Sequence, residues 1–339
     1  MNSKKKNPIK QILAIRGMGG ALTAFVGLII IYCVFGMINH TVFAGENVMN
    51  LLRSMSKYLL IGIAQSFVLI TGNIDLSIGS VAGMSAMIAA TLMTHGVNPF
   101  VAMLITLLCC VVVGVLNGFL VGKFKLPPFI ATLGTMFVAR GVAYMVNGNR
   151  NTDAIATGIG KKAADAFQDF FYYGTTLGIY NTFLISIVLF VIFFFLLSKT
   201  RSGRHIYAIG SNVDAAKLSG VDVVATTTKA YLVSAFCACV VGFILCAQAG
   251  MGNMEAGNMY EMYGVAAGVI GGVSPLGGTG ILLGTLAGSA VWQTLENGLN
   301  MIGAQVGIQR IVIGIIVVFA VLLDVVVRTG QLGKKKKGN

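Results

Sequence analysis

Asn181–Ser198 reads NTFLISIVLFVIFFFLLS, a run without one charged side chain, and Gly19–Ile38 is a second run of the same kind. A helix needs roughly 20 apolar residues to cross the hydrocarbon core of a bilayer. Backbone amides and carbonyls find no water there, so a spanning segment is a helix or part of a closed barrel. Both runs are continuously apolar rather than alternating, which selects the helix. The rest of the chain agrees. Of 339 residues, 56% are hydrophobic and 10% charged, whereas soluble domains carry about 25% charged residues. Mean hydropathy is +0.85. These numbers describe an all-α integral membrane protein.

Run lengths and breaks predict about ten spans, at 19–38, 48–71, 76–95, 100–121, 128–147, 180–198, 229–248, 262–275, 279–302 and 308–327. The eighth is too short to cross as a straight helix. It is rich in glycine and runs into Ser274-Pro275-Leu276-Gly277-Gly278. That composition predicts a broken or re-entrant element, which is tolerated only where protein surrounds it. The expected organisation is a basic cytoplasmic N-terminus (1–18), one transmembrane domain (19–327) with a cytoplasmic loop at 199–228, and a basic tail (328–339). The first apolar stretch exceeds the apolar core of an ordinary signal peptide, and only a weak small-residue site, Val42-Phe43-Ala44, follows it. It reads as an uncleaved first span.

Net charge is +13, but the charges cluster at span ends rather than on a face that could hold nucleic acid. Lys4, Lys5, Lys6, Lys10 and Arg16 precede the first span. Lys123 and Lys125 lie at 122–127, Lys199, Arg201, Arg204 and Lys217 at 199–228, and Arg328 with Lys334 to Lys337 in the tail. The opposite loops at 39–47, 96–99, 249–261 and 303–307 hold no Lys or Arg. Basic residues favour the cytoplasmic side, so both ends are expected inside.

The six cysteines (Cys33, Cys109, Cys110, Cys237, Cys239, Cys246) all sit in apolar runs and read as small buried hydrophobes. His40, His95 and His205 are far apart near span ends, so no metal site is expected. No G-x-x-x-x-G-K-[ST] phosphate loop occurs. If transport is driven by ATP, another chain hydrolyses it. Asn117-Gly118 and Asn297-Gly298 each precede a break and a further span, a hint of duplicated transporter architecture.

Lys199–Lys229 reads KTRSGRHIYAIGSNVDAAKLSGVDVVATTTK. Ser211 with Asp214 three places on comes close to a capping box. Ala215, Ala216, Lys217 and Leu218 favour helix, and Gly220 is a natural stop. A two-turn helix on the inner face follows. It either shields lipid headgroups or docks a cytoplasmic partner, and the small residues on both sides favour docking.

At this segment the sequence resembles the permeases of monosaccharide ABC importers, the ribose, xylose and galactose type. The motifs carrying the resemblance are TRSGRHIYAIGSNVDAAKLSGV, ITGNIDLSIGSVAG (70–83), NGFLVGKFKLPPFIATLGTMFVARG (117–141), GVIGGVSPLGGTG (268–280) and NGLNMIG, with Gln309 and Leu323-Asp324. They occur in family order from about residue 50 to 325. Two departures stand out. Asn73 replaces a frequent second glycine, and Tyr260-Glu261-Met262-Tyr263 stands where Tyr-Glu-Leu-Asp is common. The resemblance implies a non-catalytic permease in the bacterial cytoplasmic membrane and no cofactor in this chain. An extracytoplasmic sugar-binding protein, a second permease chain (a homodimer by default) and a cytoplasmic ATPase carrying ATP-Mg would complete the importer. Gly210, Ser211, Asn212, Asp214, Ala215, Ala216, Ser219 and Gly220 would then fit a groove on the ATPase.

Polar residues inside the spans are the candidates for a sugar pathway: Gln65, Asn73, Asp75, Asn117, Thr132, Thr135 and Asn297. Asp75 reads either as a gate carboxylate or, preferred, as a cap for the helix starting near Ser77. Glu296 is expected to pair with Arg310 or Arg140, since buried charges in a bundle pair. Rival readings are a permease for branched-chain amino acids, nucleosides or a signalling furanosyl compound, a secondary transporter working alone, and a membrane scaffold.

Overall fold

A computed structural model describes residues 18–329. The expected basic N-terminal cluster and the lysine tail lie outside the described residues, as does the side chain of Asp324. The described residues are helical apart from one small hairpin and the connecting loops. α1 is Met18–Ile38, followed by a 3-10 turn at His40–Phe43, then α2 Gly45–Ile70, α3 Ile78–Thr94, α4 Pro99–Gly122 and α5 Pro128–Met145. Two short helices, α6 Ala156–Ile159 and α7 Lys161–Gln168, lead through a π turn to strands β1 Thr175–Thr176 and β2 Ile179–Tyr180. Then come α8 Asn181–Lys199, α9 Arg201–Ser211, α10 Val213–Leu218, α11 Val223–Ala249, α12 Tyr260–Ile270, α13 Leu282–Met301 and α14 Val306–Thr329. Each expected span therefore has one helix. Five of them, α1, α4, α5, α8 and α11, are long and apolar enough to cross a membrane by themselves.

Local chemistry sets the boundaries. Asn98 caps α4 by accepting from Phe100 N at 2.9 Å, with Pro99 in the first turn. Asp222 caps α11 through Ala225 N at 2.9 Å, so this helix starts at Val223 rather than at the expected 229. In the hairpin, Leu177 (φ 55) and Gly178 (φ 77) form the two-residue loop, both left-handed as the strand twist requires.

α11 is the central post and packs on α4, α3 and α2. α3 and the Tyr58–Ile70 part of α2 are buried almost throughout. The outward faces are hydrocarbon: Phe25 and Ile29 on α1, Leu104 and Leu108 on α4, Phe137 and Val138 on α5, Val188, Ile192 and Phe195 on α8. Exposed apolar surface of this extent is stable only against lipid.

Two elements begin part-way through the bundle. Tyr231 Oη donates to Ile74 O at 3.0 Å and Ser234 Oγ to Asp75 at 2.7 Å, which places the turn before α3 roughly 12–16 Å along α11. The 250–259 segment reaches the start of α3 from the other direction. A Cβ on Gly79 would lie 2.3 Å from Gly257 O and 3.3 Å from Tyr260 N. The first turns of α3 and α12 thus meet inside the protein, and α12 has 11 residues, about 16 Å of helix.

Candidate functional site

Residues 200–222 fold into two helices where sequence reading expected one. Thr200 starts α9, its Oγ1 accepting from Gly203 N at 3.2 Å. Gly203, Ile206 and Ile209 form its buried side. That three-residue spacing was the available signal, masked by flanking charges and glycines. Ser211 ends α9, with Oγ donating to Tyr207 O at 2.9 Å. The cap of α10 is therefore not Ser211. Asn212 breaks the helix with extended backbone (φ −165°, ψ 109°), and its side chain accepts from Ala215 N at 2.9 Å. Asp214 in the first turn and Lys217 in the last both suit the helix dipole.

The end of α10 is a complete Schellman motif. Gly220 (φ +80°) donates to Lys217 O at 3.0 Å, and Val221 N donates to Ala216 O at 3.0 Å. Ser219 Oγ donates to Ala215 O at 2.9 Å. Ala216 is buried against its own protein, whereas Leu218 is 90% exposed and Val213 is exposed beside it. The exposed surface of α10 is thus Val213, Asp214, Ala215, Lys217 and Leu218. Ala216, which the sequence placed in that surface, instead seats the helix.

α10 is tied to the bundle through α9. A Cβ on Gly210 would lie 1.8 Å from Ile70 O and 2.6 Å from Gly278 N. Gly278 N donates to Ile70 O at 2.8 Å, and Tyr207 Oη donates to Gly280 O at 2.6 Å. Burial pushes the Tyr207 phenol up to about 12, so that donor keeps its proton at physiological pH. The end of α9, the end of α2 and the loop between α12 and α13 therefore meet at one point. Tyr207, Ile70 and Leu218 are the residues sequence reading overlooked here.

The candidate pathway residues separate into ties and one orphan. Asp75 Oδ1 accepts from Ser77 N at 2.9 Å and Ser77 Oγ at 2.6 Å, and Oδ2 accepts from Ser234 Oγ at 2.7 Å. Asp75 thus braces the entrance to α3 from two residues away and binds it to α11. Asn117 Nδ2 donates to Ser77 Oγ at 2.9 Å, and Thr135 Oγ1 to Asn117 Oδ1 at 2.7 Å. Thr132 Oγ1 donates to Pro128 O in its own helix. This relay joins α5, α4, α3 and α11. Asn73 Nδ2 donates to Thr71 Oγ1 at 2.8 Å. Asn297 pairs with Asn47 through both amides, at 2.9 and 3.1 Å. Gln65 is fully buried, and neither end of its amide has a partner.

The expected ion pairs are corrected. Glu296 accepts from Tyr58 Oη at 2.6 Å and lies within electrostatic reach of Lys57. Arg140 Nη1 donates to Met254 O at 2.9 Å and Ala256 O at 2.8 Å, and Arg310 Nη1 contacts Met259 Sδ at 3.4 Å. Carbonyls of the 250–259 segment reach Arg140 first, and α14 holds Arg310 against Met259. Among the described residues no three His, Cys, Asp or Glu side chains cluster to hold a metal ion.

The family described as branched-chain amino acid transport system / permease component matches residues 47–321. The chain belongs to this permease family. The ribose import permease of Bacillus subtilis (strain 168) is 36% identical over 308 residues, covering 91% of this chain and 94% of the relative. The D-allose transport system permease of Escherichia coli (strain K12) is 33% identical over 302 residues, covering 88% and 90%. A fructose import permease of Bifidobacterium longum is 34% identical over 291 residues, covering 82% of each. No solved structure matches the chain. This permease is a multi-pass membrane protein and a non-catalytic subunit.

Proposed function

We propose that this permease is the transmembrane subunit of an ATP-driven importer that carries a monosaccharide delivered by an extracytoplasmic binding protein. Its relatives are named for ribose, allose and fructose. The observation that carries the mechanism is α10, a helix capped at both ends and presenting Leu218 at 90% exposure. An apolar side chain so exposed beside Asp214 and Lys217 is the kind of knob a partner's groove buries. A separate ATPase is that partner, and closure on ATP displaces α10 as a rigid body. The junction of Gly210, Ile70 and Gly278 passes the displacement to α2 and to the α12–α13 loop, two-state elements that ATP biases.

In this reading ten spans cross the membrane with both termini inside, α9 and α10 lie at the inner surface, and the hairpin carrying Leu177 lies outside. Two copies assemble, one docking helix for each ATPase half. In this reading Asp75, spent on Ser77 and Ser234, is a brace and not an ion-coupling carboxylate.

The sugar reading is tested on the partner binding protein, titrated with ribose, allose, fructose, leucine and adenosine. Binding of at least one sugar with no response to leucine or adenosine is the expected result. A protein that binds only leucine or adenosine sinks the sugar assignment and leaves an importer of another cargo. Docking is tested with Leu218→Glu, which should insert and fold normally yet lose the ATPase on co-purification. Recovery of the ATPase at wild-type yield removes α10 from the coupling role.

A further inference from the structure

Four aromatic rings meet where α12 begins part-way through the bundle. Tyr263 lies 5.0 Å from Trp292 and 5.7 Å from Tyr58 and Tyr260, centroid to centroid, and Tyr58 lies 6.3 Å from Trp292. They come from three mutually packed helices, α2, α12 and α13. The Tyr58 hydroxyl donates to Glu296 at 2.6 Å, and Ser289 Oγ donates to Tyr58 O at 3.3 Å. Tyr58 and Trp292 are nearly sealed from solvent, and Glu296 is half-buried.

Height in the bundle is set by helix rise. Tyr58 stands roughly 18 Å along α2 from Ile70, which belongs to the coupling junction. With a hydrocarbon core of about 30 Å, the cluster sits beyond mid-depth, on the side away from α10. Gln65 occupies the same face of α2 two turns closer to the junction, about 10 Å deeper. Its amide is fully buried with no partner, and Gln293 Oε1, beside Trp292, is buried without one as well. Buried amides left unpaired are costly. Retaining an unpaired amide below a ring cluster and a carboxylate, with an unpaired amide oxygen beside the rings, calls for an occupant with hydroxyl groups.

We propose that Tyr58, Tyr260, Tyr263, Trp292 and Glu296 form the recognition gate of this permease, closed here, and that it admits a neutral monosaccharide. The inference rests on the sugar-importer reading. Aromatic faces accept the C–H face of a sugar ring, and a few convergent polar groups fix its hydroxyls, the composition usual in small-molecule sites. The bond between Tyr58 and Glu296 is the latch. A sugar hydroxyl donating to Glu296 replaces the phenol in kind, a charge-assisted hydrogen bond for a charge-assisted hydrogen bond. The Gln65 and Gln293 amides receive the hydroxyls next. Placement at the start of a half-length helix matches where transporters with broken helices hold substrate. Tyr263 sets selectivity, its ring tilted by 37° against Trp292 at 5.0 Å.

The experiment uses the whole transporter, with its ATPase and binding protein, in proteoliposomes. Uptake of labelled D-ribose, D-allose and D-fructose and ATP hydrolysis are measured together at saturating binding protein. Glu296→Gln should lower the sugar moved per ATP hydrolysed by about tenfold, the value of one charged hydrogen bond. Trp292→Leu should flatten the preference among the three sugars, and Trp292→Phe should restore it. A purely structural role would lower uptake and hydrolysis together, in step with assembled complex. Unchanged sugar-to-ATP ratio and unchanged ranking in Glu296→Gln overturn the gate while wild-type sugar uptake stands. Should Trp292→Leu fail to assemble, Glu296→Gln decides, since it keeps the size and an acceptor for Tyr58. Wild-type vesicles that carry none of the three sugars but do carry leucine or adenosine overturn the sugar reading, and the gate with it.

Discussion

Gly210 shows what a single side-chain atom means in this bundle. A Cβ there meets backbone, Ile70 O at 1.8 Å and Gly278 N at 2.6 Å, and backbone cannot rotate away. Gly298 faces only the ring of Phe35, and Gly19 faces nothing within 4 Å. Gly210→Ala should therefore destabilise the purified permease by about 1–3 kcal/mol through overpacking, whereas Gly19→Ala leaves the melting temperature where it was. Thermal unfolding in detergent checks both, and equal midpoints for the two variants contradict the junction. Asp75 is the second decisive residue. Asp75→Ala leaves the Ser77 and Ser234 donors without their acceptor in a buried site, a loss of about 2–4 kcal/mol. The same melt measures it, and a shift no larger than that of Gly19→Ala would show that water or another acceptor takes over.

Among elements, α10 was the most legible. Its length, polar start and glycine stop follow from residues within one turn of each other, because caps are local hydrogen bonds. Only the choice of capping residue moved, from Ser211 to Asn212, since Ser211 is the last residue of α9. α9 itself was hidden. It buries three small or β-branched residues on one narrow stripe, and its Gly210 and Tyr207 have meaning only once Ile70 and Gly280 are beside them. The tie between Tyr207 and Gly280 has a defined pH window. The phenol is raised by burial from 10.0 to about 12, so the folded state prefers the neutral form. The stabilisation is complete below about pH 10 and is lost as the pH rises through about 12. Tyr207→Phe should abolish that alkaline loss in a melting series from pH 8 to 12. An identical series in the variant assigns the loss elsewhere.

At the scale of the whole molecule, the coupling junction and the ring cluster occupy the same three helices. α2 reaches from Tyr58 to Ile70, and α12 and α13 flank the loop that receives α9. In the proposed mechanism a displacement of α9 would be transmitted to every element holding the ring cluster, without a separate relay. Sidedness is testable with a thiol reagent that does not cross membranes. Leu177→Cys, at 97% exposure on the hairpin tip, should label in intact cells. Leu218→Cys should label only after permeabilisation. Labelling of both from outside would reject the arrangement with both termini inside.

Membrane residence and the positions of the ten long apolar segments, with most of their starts and stops, were determined by the sequence alone. Each depends on interactions within a few residues, or on transfer of a contiguous segment into hydrocarbon, and both are written along the chain. Partners were decided by tertiary structure. Tyr58 and Glu296 are 238 residues apart, and Ser66 and Thr285, joined at 2.7 Å, are 219 apart. Whether such groups meet depends on the depth and rotation of each helix, which the packing of remote segments sets. For the same reason Glu296, expected opposite an arginine, faces a tyrosine. Ala216, expected to face a partner, faces its own protein, and Gln65 is left unpaired inside.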